Sequence, residues 1–344
     1  LRTEEFDSIW RILEESSVKE SKEGIIIRRI SPDDPYDLFL GYEKPANRRL
    51  FLIRINKENY TEFRQLPSMQ GFEISPVNLN EESQDTIIVG FILNNPVFMD
   101  IFSTLCEDIY KTVISENNPS IMVKGVINRL LMWHQFLQTF GCQGLSLEYQ
   151  RGLYGELRFL RDVLFPKIGI KNALSAWKGP IKGNQDFLIS GTAVEVKTSI
   201  AKQHQKILIA SEQQLDNGGL NALYIYHLSL REVDNNGETL AGIIDQIRNE
   251  IDLHKGPVHE FEEQLFKAGY LDKYRFKYEA SGYTDRAISI FLVRENFPRI
   301  VEKDLKSGVG DVQYSIDLSS CVPFKVNETD FLSDLSGDKN VRRE

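Results

Sequence analysis

The 344-residue sequence has little sulfur and little histidine: three cysteines, four methionines and five histidines. Cys106, Cys142 and Cys321 are odd in number and widely scattered, so they form neither a disulfide framework nor a zinc knuckle. That usage points to a reducing cytoplasm. The chain has no apolar run near the ~20 residues a membrane span needs. Residues Leu1 to Trp10 carry charges where a secretory signal would be apolar. Internal repeats are absent, as are a phosphate-binding Gly-Lys-Ser/Thr loop and a His-Glu-x-x-His metal motif. A net positive charge is missing too. At −9 the chain is unsuited to coating nucleic acid nonspecifically.

What is present is an ordinary globular composition, 41% hydrophobic and 10% aromatic, enough for about two domains or one core with large additions. Its charge is unevenly spread. Residues 167 to 206 hold seven lysines (167, 171, 178, 182, 197, 202 and 206) against Asp186 and Glu195 alone, a net +5 that leaves −14 for the rest. A basic groove around an acidic centre suits a phosphodiester substrate. Lysines scattered on loops are the alternative explanation.

Inside that window, residues 182 to 199 read as two short apolar strands joined by the turn dipeptide Ser190-Gly191. This register pairs Ile189 with Thr192, Leu188 with Ala193, Phe187 with Val194 and Asp186 with Glu195. Strand alternation puts Lys197 on the Glu195 face and Val194 and Val196 on the other. Two carboxylates held so close repel. A divalent cation such as Mg²⁺, which takes oxygen ligands, relieves the repulsion; so does Lys197 acting as a structural ion pair. The acid-x-Lys tripeptide also occurs at Glu20-Ser21-Lys22 and Asp304-Leu305-Lys306, but in polar surroundings with no strand around it.

Upstream, Tyr149 to Phe165 reads as a helix ended by Pro166, with Leu153, Leu157, Phe159, Leu160, Val163 and Leu164 on one arc. Glu156 falls inside that arc, where a carboxylate is costly unless paired or metal-bound. Residues 1 to 145 read as a β-then-α module: a helix to about residue 20, strands at 24–29, 37–41, 49–55 and 86–93, and helices at 97–114 and 121–140. Nothing in this module looks catalytic. Downstream, Lys206 to Ala210 reads as a strand, though one helix from Lys202 to Leu215 is an alternative. Ser211 to Gln214 reads as a capped helix start, Leu223 to Leu230 as a strand. The last third reads as helices at 240–253 and 259–268, strands at 275–279, 287–294 and 313–318, and a frayed tail from Asp334.

Asp186, eight residues, then Glu195-Val196-Lys197 resembles the active-site signature of the PD-(D/E)XK nuclease superfamily. Gln185 stands where the superfamily's name puts proline. Together with Gly152-Leu153-Tyr154-Gly155-Glu156-Leu157 and the Asp186-Phe187 pair, the segment is similar to a bacterial family placed in that superfamily, across roughly residues 146 to 231. The resemblance implies an α/β (α+β overall) fold: a restriction-endonuclease-like core with a central mixed sheet flanked by helices at 146–231, the N-terminal β/α module at 1–145 for specificity or partner docking, and a C-terminal α/β extension at 232–344 packed on the core. It implies a Mg²⁺-dependent DNA endonuclease, with Mn²⁺ as a substitute. Asp186, Glu195, the Val196 carbonyl and Glu156 would hold the metal, with Lys197 completing the catalytic set. Lys178, Lys182, Lys202 and Gln214 are candidate nucleic-acid contacts. Implied partners are double-stranded DNA, companion methyltransferase and ATPase or helicase subunits of a restriction or phage-defence locus, and a second copy of the chain for double-strand cutting. Two other functions remain open: a catalytically silent nucleic-acid-binding or scaffolding subunit, and a phosphodiesterase of the same fold acting on RNA or repair intermediates.

Overall fold

The structure is a computed structural model that describes residues 3–20, 24–79, 84–181, 183–234 and 236–335. The chain divides into two compact units, residues 1–143 and 144–344.

The first unit is built on a five-stranded antiparallel sheet in the order β1-β2-β3-β5-β4: β1 Gly24–Arg29, β2 Leu38–Lys44, β3 Arg48–Asn56, β4 Phe72–Pro76 and β5 Thr86–Leu93. Three main helices accompany it, α1 Thr3–Glu20, α2 Met99–Ile114 and α3 Pro119–Phe140. Phe6, Trp10, Phe51, Phe91 and Phe102 are fully buried and make its aromatic core. Trp10 also donates its indole N–H to the carbonyls of Gly41 and Leu50, at 3.2 Å each. Periodicity does not reveal β4. Its Glu73, Ser75 and Pro76 leave few apolar residues, a composition suited to an edge strand, which needs only one bonded side.

The second unit carries a curved mixed sheet in the order β10-β11-β9-β7-β6, with β13 attached to β11. Its strands are β6 Phe187–Ile189, β7 Thr192–Ser199, β9 Ala222–Asp234, β10 Glu238–Thr239, β11 Ser281–Leu292 and β13 Lys325–Val326. Among the described strands of this sheet, only β7 and β9 run parallel. A separate two-stranded ladder joins β8 (Lys206–Ile209) to β12 (Tyr314–Asp317), so the β-branched run Ile207–Ile209 settles on strand, not helix. The core sheet does not close at residue 231: β9 runs on to Asp234, and β11 pairs with it along its length.

Several local expectations change. The helix α4 (Leu147–Phe159) does not stop at Pro166. A π turn over Leu160–Leu164 widens the spiral just before the proline, and helical turns continue to Ile168. The wider turn accommodates the ring and the missing N–H that an α-turn would not. Ser211–Gln214 is a run of turns instead of a helix, because its groups bond elsewhere: Gln214 accepts from Ala210 N at 2.7 Å and Glu212 from Val312 N at 2.9 Å. Arg275–Tyr278 is one helical turn, not a strand, held by Arg275 ion pairs to Asp245 and Glu279. A further helix, Glu328–Leu335, runs into the start of the expected tail; its Phe331 is buried and its Asp334 accepts a hydrogen bond from the Tyr224 hydroxyl, and the rest of that tail, 336–344, lies outside the described residues. No helix among the described residues is long and apolar enough to cross a membrane.

Candidate functional site

The β6–β7 hairpin forms with the register read from the sequence: Phe187 opposite Val194, Leu188 opposite Ala193 and Ile189 opposite Thr192. Ser190 and Gly191 both have positive φ (49° and 86°), the conformation of the two-residue turns that match strand twist. The Asn221 amide locks that turn through the Ser190 carbonyl at 3.0 Å. The ladder ends at Phe187 and Val194, so the expected Asp186–Glu195 pair is not part of it. There the aspartate's own Oδ2 takes over, accepting from Val196 N at 2.7 Å. A residue's N–H and C=O leave a strand on the same edge, so the Val196 carbonyl also faces the Asp186 side.

Glu195 lies on β7, between β6 and β9, with 1% of its surface exposed. Its Oε1 receives the Lys197 ammonium at 2.8 Å, while its Oε2 is buried without a hydrogen-bond partner. Glu156 arrives from α4. That helix rides close on β7 at Gly155, where a Cβ would sit 2.5 Å from Thr198 Cγ2, so only glycine permits the approach. The Trp177 indole N–H fixes Glu156 Oε2 at 2.7 Å. Gly179 lies between the two outer carboxylates: a Cβ there would fall 2.6 Å from Glu156 Oε2 and 3.1 Å from Asp186 Oδ1. Backbone bonds from Lys178 N and Gly179 N to the Asp186 carbonyl, at 2.7 and 3.0 Å, clamp this loop onto the hairpin.

Three carboxylates and one ammonium thus share a small, poorly hydrated space, and their titration follows from it. Burial raises Glu156 to about 7, with the Trp177 bond opposing the rise, Glu195 adding to it and Lys197 subtracting. Asp186 is pushed well above the carboxylate range by burial, Glu195 and Glu156. Glu195 is also raised by burial, against the pull of Lys197. Burial works against the Lys197 charge, but Glu195, Asp186 and Glu156 outweigh it, so its pKa rises and it stays an ammonium.

A carboxyl raised on folding contributes its full stability only below its unfolded value and loses it as pH climbs through the folded one. For Glu156 that window runs from about 4.5 to about 7. Metal-free protein should therefore melt at a lower temperature at pH 8 than at pH 5, with Glu156 supplying roughly 2–3 kcal/mol of the difference. Glu156→Gln, which keeps an acceptor for Trp177, should flatten the slope of melting temperature against pH measured in EDTA. An unchanged slope would remove Glu156 from the cluster.

Among the other candidates, Lys178 is half-buried beside the site and Lys202 is exposed on the loop after β7. Lys182 lies outside the described residues. Gln214 turns inward: its Oε1 accepts from Ala210 N and, at 3.4 Å, from Lys197 Nζ. Gln185, the residue in the proline position, donates to the carbonyls of Gln213 and Gln214 at 3.2 and 3.3 Å and so ties that loop to the hairpin. Sequence reading misses Trp177 and Gly179, which touch Glu156 from a loop with no periodicity. It also misses His227, opposite Lys197 on β9, which is buried against Ser199 Oγ at 2.9 Å and driven down to about 4 by that burial.

No group of three or more His, Cys, Asp or Glu side chains among the described residues is drawn together as a ready-made metal cage. The donor chemistry nevertheless fits a hard divalent cation. The side chains are carboxylates, one buried oxygen of Glu195 is unspent, and the Gly179 cradle keeps side-chain atoms out of the space between Glu156 and Asp186. No curated protein and no solved structure matches the chain. A family model described as "Putative PD-(D/E)XK family member, (DUF4420)" matches residues 6–319, well beyond the 146–231 segment that carries the signature, and the chain belongs to that family.

Proposed function

We propose that the protein is a Mg²⁺-dependent DNA endonuclease of restriction or phage-defence type. The observation that carries this reading is the buried, unpartnered Oε2 of Glu195, beside Asp186 and Glu156 and with a protonated Lys197 at its other oxygen. A structural ion pair needs one acid per base, and a leftover buried carboxylate oxygen costs about 1–3 kcal/mol. Such an expense is intelligible where the oxygen binds something.

Asp186, Glu195, Glu156 and the Val196 carbonyl would hold Mg²⁺, or Mn²⁺ in its place. When bound, such an ion polarises the scissile phosphate and makes its bound water a nucleophile near neutral pH. The chain's own residues do the rest. Lys197, kept charged by its three acidic neighbours, stabilises negative charge building on the phosphate oxygens and is the wrong species to act as a base. Trp177 and the Val196 N–H fix one oxygen each on Glu156 and Asp186, aligning the carboxylates before substrate arrives. Lys178 and Lys202 would contact the phosphodiester backbone. The residue 1–143 unit would supply specificity or docking to methyltransferase and ATPase subunits, and a homodimer would supply two active sites for a double-strand cut.

The test is cleavage of modified and unmodified plasmid and phage DNA in Mg²⁺, Mn²⁺ and EDTA, by wild type and Glu195→Gln. Cutting that needs the metal and disappears in the variant supports the nuclease. Absence of cutting by the wild type in either metal, with no change in melting temperature on adding Mn²⁺, would favour a silent binding subunit instead. Faster cutting of RNA than of DNA would move the substrate class.

A further inference from the structure

We infer that the sheet face bearing Lys197 continues as a track for a nucleic-acid backbone, on which Arg231, Arg286 and Lys202 bind phosphates beyond the scissile one. The inference rests on the nuclease reading and extends it from the reacting phosphate to its neighbours.

The two faces of the sheet in the second unit differ in how their charges are spent. Helix α4 packs on one of them, its Gly155 against Val196 and Thr198. There Arg158 pairs with Asp162 and Asp285, and Arg161 with Glu238. The other face carries Glu195 and Lys197. The parallel register sets Lys197 beside His227 and Ser199 beside Ser229. Alternation along β9 then adds Arg231 to that face, where it is exposed. The β8–β12 ladder packs on this face around Ala193 and Ile225, and its Asp317 stands opposite Lys206.

Strand β11 supplies Arg286. A bulge between Asp285 and Ala287 sets Arg286 and Ala287 together against Ser229. Bulges bend a strand and re-aim its side chains, often beside active sites. Arg286 is exposed and donates an N–H to the Ile200 carbonyl, at the start of the loop that carries Lys202. Among the described residues, Arg231, Arg286 and Lys202 meet no carboxylate. A guanidinium tethered at one nitrogen keeps further donors for a phosphate, whose oxygens its planar fork matches. Strand residues rise ~3.3 Å each, so Ile200 lies ~10 Å past Lys197. One strand of a duplex advances ~3.4 Å per nucleotide, which puts Arg286 about three nucleotides from the phosphate at Lys197. Such contacts fix register and orientation and read no sequence.

The experiment follows a fluorescein-labelled duplex by anisotropy, with the full chain carrying Asp186→Asn in EDTA so that nothing is cut. Affinity is measured between about 50 and 200 mM KCl, since each phosphate contact contributes about 0.9 to the slope of log K against log salt. Arg231→Ala breaks no side-chain bond, so it should flatten the slope by about 0.9 and leave the melting temperature unchanged. Arg231→Ala/Arg286→Ala should flatten it by about 1.8 and weaken binding roughly tenfold. Arg286→Lys, which keeps the charge, should retain the parent's slope. If the parent binds and the double alanine variant binds as tightly with the same slope, the track is overturned while the nuclease reading stands. If Arg286→Lys loses as much affinity as Arg286→Ala and melts lower, Arg286 only straps its loop, and the inference fails. A parent that binds no duplex overturns the track and the nuclease reading together.

Discussion

Asp186→Asn is expected to abolish DNA cleavage, by roughly three orders of magnitude or more, while raising the melting temperature of the metal-free protein by a few degrees. The two effects have one cause. Asp186 is driven well above the ordinary carboxylate range by burial and by two acidic neighbours, so its charge is a strain on the folded state. The amide removes that charge, and its side-chain oxygen can still accept from the Val196 N–H, now held at 2.7 Å. Asp186→Ala would lose that bond too and leave a strand N–H unmet, which is why the asparagine is the cleaner substitution. Relief of about 1–2 kcal/mol corresponds to roughly 2–8 °C for a unit of this size. A ligand bound only by the folded state stabilises it. Mg²⁺ should therefore raise the melting temperature of wild type and leave Asp186→Asn nearly unmoved. A variant that cuts at a tenth of the wild-type rate would sink the assignment. One that melts well below wild type would favour a purely structural cluster.

The hairpin was legible because its information is local. Alternation, a turn dipeptide and one acid-x-Lys step place Asp186, Glu195 and Lys197, and the structure forms the hairpin in that register as far as Phe187 and Val194, with Lys197 paired to Glu195. Glu156 was legible as an anomaly, one carboxylate in an otherwise apolar helical arc. What organises these residues was hidden, because it comes from chain segments without period. Trp177 and Gly179 sit in an irregular loop, and their relation to Glu156 depends on how that loop folds back onto Asp186. Gln185 and Gln214 looked like two unrelated glutamines until the turn after β8 brought them together. The mistaken elements share a cause as well. Ser211–Gln214 and Arg275–Tyr278 are stretches where side-chain bonds to distant residues override local preference. The edge strand β4 escaped because a strand bonded on one side needs little hydrophobicity.

Lys197→Met should eliminate cleavage too, but with the opposite stability signature, and the contrast between the two variants is the sharper test. Lys197 is the one cation among three carboxylates, paired with Glu195 at 2.8 Å and touched by Gln214. Methionine fills much the same volume, so packing is preserved while the charge goes. Breaking a buried pair from one side typically costs about 3–5 kcal/mol, since the partner charge is left behind. The melting temperature should accordingly fall by roughly 6–20 °C. The fall should be larger at pH 8 than at pH 5. Without the ammonium, the acids already raised by burial rise further, and at low pH they escape their repulsion by holding protons. Adding Glu195→Gln to Lys197→Met removes the stranded charge and should recover most of the lost stability without restoring any cutting. The coupling energy of that double-mutant cycle, read from thermal melts in EDTA, measures the ion pair itself. A large coupling would mean that Lys197 supports the fold through Glu195. Because Glu195→Gln alone is expected to stop cutting, the part Lys197 plays in the reaction is read from the single variant: a Lys197→Met protein that kept wild-type cleavage would show that the lysine only neutralises its neighbour, and the reaction would have to find its positive charge elsewhere.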